Sequence, residues 1–349
     1  MSNYKEEEIK IFPVGLINLS RDTQRTKQYK HYKNSNLNNS CYINASIQCL
    51  FRLDGFIKNI LKCKNGKLVS ATKNLINNMQ RTNNKYKSCS VFEIKQAMAE
   101  KNEIYENDYQ EDANEFISNY LNDLLQETKN NGEISWKHLD KDGASFIDFY
   151  NKFYKRKGSS FIIDQFYGVL RTENYCKNCN YSFNIKFNAF NILDLPIDEE
   201  KYGYKFGEEI EINDLLRNFI AERDIEEVCV NCGEDIKVKT TIYNLPKCLI
   251  IYFNREKSNN RKNKINVQKT LNFRKFVYDR SLNEDDNFYY NLKGIIFYSP
   301  YSSRGGHYQS ACLVNNESWY YFNDNYYETD KNLLRIWDDE NPSFLFYEK

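Results

Sequence analysis

The stretch NSNLNNSCYINASIQCLF (residues 34–51) sets a cysteine between a run of asparagines and a segment whose apolar residues Ile43, Ile47, Leu50 and Phe51 recur at helical spacing. The spacing predicts an amphipathic helix that opens at Cys41. There the free backbone N–H groups and the helix dipole favour a thiolate, which is the environment of a nucleophile. The position also suits a small buried apolar residue, the usual state of a free cysteine and the reading given to Cys49 on the same helix. A nucleophilic thiol needs a base and an oxyanion donor. The meaning of Cys41 therefore depends on the rest of the chain.

The chain has 349 residues, 41% of them hydrophobic and 15% aromatic, with 49 basic against 48 acidic side chains and a formal net charge of +1. That length can bury a substantial core, as one large domain or two ordinary ones. So balanced a charge creates no strong overall field and argues against a nucleic-acid partner. The opening MSNYKEEEIKIFPVGLINL carries charges where a secretory signal needs an apolar core, and no later window reaches the ~18 apolar residues of a membrane span. The expectation is a cytoplasmic or nuclear protein with no membrane partner. Ten cysteines in that setting read as thiols, metal ligands or catalysts rather than disulfides.

Residues 1–33 read as a polar N-terminal arm. In SVFEIKQAMAE (residues 90–100), Ser90 and Glu93 stand in the positions of a capping box. The clearest helix is DANEFISNYLNDLLQE (residues 112–127), where Ala113, Phe116, Ile117, Tyr120, Leu121, Leu124 and Leu125 repeat at three and four behind a second box, Asp112 with Glu115. After residue 125 a turn-rich stretch, TKNNGEISWKHLDKDGAS, gives way to β-branched and aromatic runs: SFIIDQFYGVLRT, LIIYF, YNLKGIIFY, HYQSACLV and SWYYF. Helices first and strands after predict an α+β fold. The basic break REKSNNRKNKINVQ (residues 255–268) reads as a solvated loop.

Only three histidines are present, His31, His138 and His307. His31 lies in the arm and His138 in a polar linker. His307 follows the glycine approach SSRGG and opens HYQSACLV, which turns at NNES and returns as WYYFND. Antiparallel pairing across so short a loop brings His307 close to Asn323 and Asp324. The order Cys, His, Asn is that of a papain-type arrangement, in which the third residue fixes the imidazole tautomer. A second constellation pairs CKNC (Cys176, Cys179) with CVNCG (Cys229, Cys232). Four soft thiolates suit a closed tetrahedral Zn²⁺ site, although the 49 residues between the pairs exceed the spacing of compact zinc fingers. The other reading is four unrelated buried thiols. Cys248 and Cys312 sit inside apolar strands and read as core, while Cys63 and Cys89 carry no assignable role.

Four strings together resemble a family, the ubiquitin-specific proteases. NLNNSCYINASIQCLF is similar to its cysteine box NLGNTCYMNS, YQEDANEFISNYLNDLL to QQDAxEFL, LPKCLIIYFNR to LPxxLxxxLxR, and GGHYQSACLV with WYYFND to its histidine box GHYxAY...WxxFDD. They stand in family order across residues 36–324. The resemblance implies a papain-like α+β catalytic domain over residues 34–349, with a helical thumb (34–130), a β-rich palm (160–349) and zinc-tied fingers (about 172–240). It implies Cys41 as nucleophile, His307 as general base, Asn323 as the residue that orients the imidazole, Asp324 as auxiliary, and Asn36 as oxyanion donor. Asp112 and Glu115 match positions that face the basic C-terminal tail of ubiquitin, and both also fit a helix cap. The implied activity is hydrolysis of the bond after the C-terminal glycine of ubiquitin, with structural zinc as the one cofactor. A protease for another ubiquitin-like modifier and a catalytically silent ubiquitin-binding module are the alternatives. Two departures stand out: the family's glycine before the cysteine is Asn38 here, and Tyr298, Ser299 and Pro300 replace the family's His-Ser-Gly. Asn tolerates positive φ best among the non-glycine residues.

Overall fold

The computed structural model describes residues 9–18, 39–64, 66–81, 88–107, 109–136, 143–205, 207–255, 263–278, 287–302, 305–329 and 341–349. The expectations placed on His31, Asn36, Asn38 and His138 and on most of the N-terminal arm lie outside these residues. In chain order the elements are β1 (Gly15–Leu16), α1 (Cys41–Leu50), α2 (Asp54–Lys62), α3 (Lys67–Arg81), β2 (Ser88–Cys89), α4 (Phe92–Ala99), α5 (Ala113–Glu127), α6 (Gly143–Lys157) and α7 (Phe161–Phe166). They continue as β3 (Gly168–Cys176), β4 (Ser182–Phe190), β5 (Leu193–Pro196), α8 (Glu199–Tyr202), β6 (Ile210–Glu211), α9 (Ile212–Ile220), β7 (Arg223–Val228), β8 (Asp235–Asn244), β9 (Cys248–Asn254), β10 (Ile265–Asn266) and β11 (Thr270–Asn272). The last strands are β12 (Tyr289–Ser302), β13 (Gly305–Val314), β14 (Ser318–Asn323), β15 (Tyr326–Thr329) and β16 (Pro342–Glu348). Among the described residues no helix is long and apolar enough to cross a membrane.

The chain divides into two compact units, residues 1–128 with 293–346, and residues 129–292 with 347–349. In the first, β15, β14, β13, β12 and β16 lie side by side in that order. Helix α1 packs on β13, β14 and α5, and every one of its residues is buried. It is therefore not the amphipathic surface helix that its periodicity predicts. Burial on all sides is tolerable because its polar side chains donate inward: Asn44 Nδ2 to Leu16 O (3.2 Å), Ser46 Oγ to Tyr42 O (2.7 Å) and Gln48 Nε2 to Val14 O (2.7 Å). Tyr42 meets Phe116 of α5 edge-on at 5.7 Å.

Helix α5 begins as expected, with Asp112 Oδ1 accepting from the N–H groups of Asn114 (2.7 Å) and Glu115 (3.3 Å). The box expected at Ser90 is out by one residue. Val91 occupies the N-cap position of α4 with no side-chain cap bond, and Ser90 Oγ accepts from Phe92 N–H (3.2 Å) in a local turn that precedes the helix.

The second unit holds the antiparallel sheet β4-β3-β8-β7. Its start corrects a predicted strand. SFIIDQFYGVLRT opens as helix α7, because Ser160 Oγ accepts from Ile162 N–H (3.1 Å) and caps it, and β3 begins only at Gly168. Helix α6 was not expected. It buries Phe146 and Phe153 and packs its aromatic residues on β4, with Phe146 and Phe187 at 5.2 Å. The basic break is not solvated throughout: Ile265 pairs with Ile210 in a short parallel ladder, and Asn263, Ile265 and Val267 are buried.

Candidate active site

Cys41 is the first residue of α1 and is 4% exposed. Its Sγ accepts a hydrogen bond from Gln110 Nε2 at 3.2 Å and another from the backbone N–H of Tyr308. The Gln110 amide also grips Gly306 at both ends, donating to its carbonyl (2.7 Å) and accepting from its N–H (2.9 Å). Both sequence neighbours of His307 are thus tied to the Cys41–Gln110 pair. This is how a helix and a strand 266 residues apart in the chain (41 to 307) come to share one site.

His307 itself is 6% exposed on β13. Its Nε2 stands 2.8 Å from Asn323 Oδ1 and 3.8 Å from Asp324 Oδ2. The first distance is a hydrogen bond and the second is not. An amide oxygen can only accept, so Nε2 carries the proton and Nδ1 remains as the basic nitrogen. The strand pairing behind this is the expected antiparallel one, Ser310 opposite Phe322, and Asn315 and Asn316 turn the hairpin at φ 51° and 58°.

Asp324 is placed as a support. Its carboxylate accepts from Asn18 Nδ2 and Asn44 Nδ2, each at 2.8 Å, and its carbonyl accepts from Leu16 N–H at 2.8 Å. The residue holds φ 53°, a conformation that costs a non-glycine residue about 1–2 kcal/mol. Those three bonds hold it there. The largely covered carboxylate fixes the turn carrying Asn323 against α1 and β1.

The electrostatics differ from the helix-terminus expectation. Burial pushes the Cys41 thiol above its ordinary value; the Tyr308 N–H works against this, the Asp324 charge adds to it, and the Gln110 and Tyr42 hydrogen bonds oppose it. Desolvation disfavours the charged form here more than the hydrogen bonds to the sulfur favour it. At the mouth of α5, Asp112 Oδ2 accepts from Tyr308 Oη (3.3 Å), while Glu115 is exposed and points to solvent. Burial, with Glu115 nearby, raises the carboxyl of the adjacent Glu111.

Gln110, Tyr308, Asn18 and Asn44 escaped the reading of the sequence. Gln110 stood in the quoted YQED string without a role, and Asn44 was visible as a polar residue on a helix of apolar ones. Nothing local marked Asn18.

The four cysteines of the two C-x-x-C pairs do meet. Their Sγ atoms all lie within 4.8 Å of one another, with Cys176 to Cys232 at 3.4 Å and Cys179 to Cys229 at 3.6 Å. Strands β3 and β8 are neighbours, Cys176 opposite Ile236, so the turns after β3 and before β8 fall at the same end of the sheet. The gap of 49 residues is thereby closed. Each turn folds back tightly, through Cys176 N–H to Tyr181 O (2.9 Å) and Cys229 N–H to Glu234 O (2.8 Å), and Gly233 supplies φ +78°. A tetrahedral ion with bonds of about 2.3 Å needs sulfurs roughly 3.8 Å apart. The cluster fits a metal ion of that kind.

The fold matches solved structures. The SAGA Ubp8/Sgf11/Sus1/Sgf73 DUB module bound to ubiquitin aldehyde has a chain that superposes with a TM-score of 0.69 at 17% identity, over 98% of this chain and 70% of that one. The architecture is accordingly the α+β papain-like fold. In sequence, the chain is 25% identical over 307 residues to ubiquitin carboxyl-terminal hydrolase Usp2 of Drosophila melanogaster, which covers 83% of this chain and 32% of that protein. It is 26% identical over 344 residues to ubiquitin carboxyl-terminal hydrolase 5 of Saccharomyces cerevisiae, covering 84% of this chain and 41% of the relative. A probable ubiquitin carboxyl-terminal hydrolase of Acanthamoeba polyphaga mimivirus is 23% identical, covering 74% of this chain and 59% of the relative. The chain therefore spans between a third and three fifths of the length of these relatives. The family model described as ubiquitin carboxyl-terminal hydrolase matches residues 32–347, and with the papain-like fold around Cys41 and His307 this places the chain in the ubiquitin carboxyl-terminal hydrolase family.

Proposed function

We propose that the chain is a deubiquitinating cysteine protease, which hydrolyses the amide bond after the C-terminal glycine of ubiquitin with Cys41, His307 and Asn323 as its working residues. The observation that carries this is the linked geometry of Cys41, Gln110 and Gly306, with His307 bonded to Asn323. Asn323 keeps Nε2 protonated and Nδ1 basic, so His307 takes the Cys41 proton as the sulfur attacks the carbonyl carbon. The C–N bond breaks as the imidazolium returns that proton to the leaving amine, and an acyl-enzyme remains. Water, deprotonated by His307, then releases the carboxylate. Asp324 acts as an auxiliary that holds the Asn323 turn. Asn36 is the proposed side-chain donor to the oxyanion, beside backbone N–H groups near Cys41.

Glu111, Asp112 and Glu115 put three carboxylates at the start of α5, a complement to the basic tail that precedes the glycines of ubiquitin. Zinc is the proposed occupant of Cys176, Cys179, Cys229 and Cys232. There it supplies cross-linking of the two turns and no chemistry. The sheet β4-β3-β8-β7 then serves as the finger element that supports the body of ubiquitin.

The test is incubation with ubiquitin carrying a C-terminal thiol-reactive electrophile, followed by intact-mass and peptide analysis. An adduct on Cys41 that is absent from Cys41→Ala is the expected result. With the protein folded and zinc-loaded, an adduct formed only with the probe of another ubiquitin-like modifier would reassign the substrate. No adduct with any probe would leave a binding module.

A further inference from the structure

Two cysteines that the proposed reaction does not use lie on the elements that carry it. Cys49 is on α1, eight residues beyond Cys41, and Cys312 is on β13, five residues beyond His307. Both are fully buried, and their Sγ atoms are 3.6 Å apart. Strand β12 comes so close here that a Cβ on Gly294 would meet Cys49 Sγ at 2.8 Å.

An ordinary apolar core would surround such thiols with hydrocarbon alone. Here a guanidinium reaches them. Arg52, 5% exposed, donates Nη1 to Ile11 O (2.9 Å) and Nη2 to Gln48 Oε1 (3.0 Å), and sits 5.7 Å from the centre of the Phe322 ring. Among the described residues no carboxylate pairs with it, and its Nε meets no oxygen or nitrogen acceptor. The Ser310 hydroxyl is buried without such a partner too. Both groups lie near enough to the Cys312 sulfur to favour its charged form. A buried cation and a buried hydroxyl beside one sulfur favour a thiolate there, since an unpaired buried charge is costly.

The two thiols respond in opposite directions. Burial raises Cys312, but the Cys49 hydrogen bond, the Arg52 charge and Ser310 outweigh it and bring the thiol below its ordinary value. Burial, with Cys312 alongside, pushes Cys49 well above its own. The pair thus combines a sulfur inclined to lose its proton with one that keeps it, the division of labour of an attacking and a resolving cysteine. A partly open pocket of about 220 Å³, lined by Phe51, Arg52, Asp54, Ile57, Lys58 and Leu313 among others, lies beside the guanidinium. It has room for several molecules the size of water.

We infer that Cys312 and Cys49 form a second reactive site, which a hydroperoxide converts into a disulfide tying α1 to β13. In the first step the Cys312 thiolate attacks one oxygen of hydrogen peroxide. The O–O bond breaks, hydroxide leaves and is protonated to water, and the sulfur, oxidised by two electrons, becomes a sulfenic acid. Cys49, losing its proton, then attacks the Cys312 sulfur. The S–S bond forms and the sulfenic oxygen leaves as water, so two thiols and one peroxide give one disulfide and two waters. The sulfurs, 3.6 Å apart, close to about 2.0 Å as the bond forms. The bridge joins the helix of Cys41 to the strand of His307 at a distance from the reacting atoms, and a dithiol reductant reverses it.

The test uses the full chain with Cys41→Ser, so that oxidation of Cys41 does not intervene. After hydrogen peroxide treatment, acid quench and alkylation in denaturant, peptide mapping is expected to recover a Cys49–Cys312 cross-linked pair that dithiothreitol removes. With Cys49→Ala added, dimedone is expected to trap the sulfenic acid on Cys312. With Cys312→Ala added instead, Cys49 is expected to stay unmodified. Recovery of both cysteines in alkylated form, at a peroxide dose that fully oxidises Cys41 in the unmutated protein, would overturn the proposal, as would their pairing with other cysteines. Should either double variant fail to fold by circular dichroism, the cross-link map of the single variant, whose core cysteines are untouched, decides alone.

Discussion

Replacing Gln110 by alanine tests whether the amide at the centre of the site is part of how it works. The side chain makes three bonds, one to Cys41 Sγ and two to the backbone of Gly306. A neutral bond is worth about 1 kcal/mol net, and one to a charged partner about 1.5–3 kcal/mol. Gln110 is half-buried, so water can take over part of the loss at Gly306. The bond that counts most in the transition state is the one to the developing thiolate. A loss of roughly 1–2 kcal/mol follows, or about 5- to 30-fold in kcat/KM, with the unfolding midpoint nearly unchanged. Because the Gln110 N–H favours the charged form of Cys41, its removal raises the thiol further. The assay is hydrolysis of a fluorogenic amide at the C-terminus of ubiquitin, together with the rate of Cys41 alkylation against pH, whose midpoint moves upward. A kcat/KM within twofold of the parent with an unmoved or lowered midpoint would refute the role. Gln110→Glu sharpens the test: it keeps the shape, loses the donor and adds a negative charge, and so it must be worse than alanine.

Asn323→Ala removes the acceptor that fixes the His307 tautomer, and kcat is expected to fall about 10- to 100-fold with KM little changed; steady-state kinetics on the same substrate check it. Asp324→Ala removes the carboxylate that accepts one hydrogen bond each from Asn18 and Asn44, while Asn44 keeps its bond to Leu16 O, so the protein is expected to lose on the order of 3 kcal/mol by urea unfolding. Removing that negative charge also lowers the Cys41 thiol, which the alkylation profile reads as a midpoint moved to lower pH. If zinc occupies the four-cysteine site as proposed, Cys176→Ser is expected to abolish stoichiometric zinc by elemental analysis and lower the thermal midpoint, and a strong chelator to do the same to the parent. Glu115→Ala, whose carboxylate is exposed, raises KM for ubiquitin substrates up to about fivefold at low salt and leaves kcat alone, a difference that fades as salt is added.

The parts of this molecule legible in its sequence are those governed by short-range rules. The cap at Asp112 needs only the N–H groups two and three residues on, and the hairpin that joins His307 to Asn323 needs only a run of asparagines able to adopt positive φ. Both are where the residues place them. Helix α6 is equally legible in principle, since Phe146, Phe149, Tyr150, Phe153 and Tyr154 recur at three and four. Its aromatic content hides it, because so many aromatic residues weigh towards a strand when counted by type and not by spacing. Helix α7 is hidden for the same reason, with Ser160 as the unread cap.

What the sequence concealed depends on partners far along the chain. Asn44, Gln48 and Arg52 are polar residues on or next to α1, and local periodicity assigns them to a solvent face. Their acceptors are the carbonyls of residues 11–16 and the carboxylate of Asp324, none visible within a helical window. Long-range satisfaction of this kind converts a surface pattern into a fully buried element, and it places Cys41 in a dry site. The thiol's elevation follows directly: a helix N-terminus offers a fraction of a charge, whereas burial removes the solvation of a whole one. Burial of this kind works against the thiolate that the proposed reaction needs. In the proposed reaction the imidazole, its tautomer set by Asn323, supplies the base that such a thiol calls for.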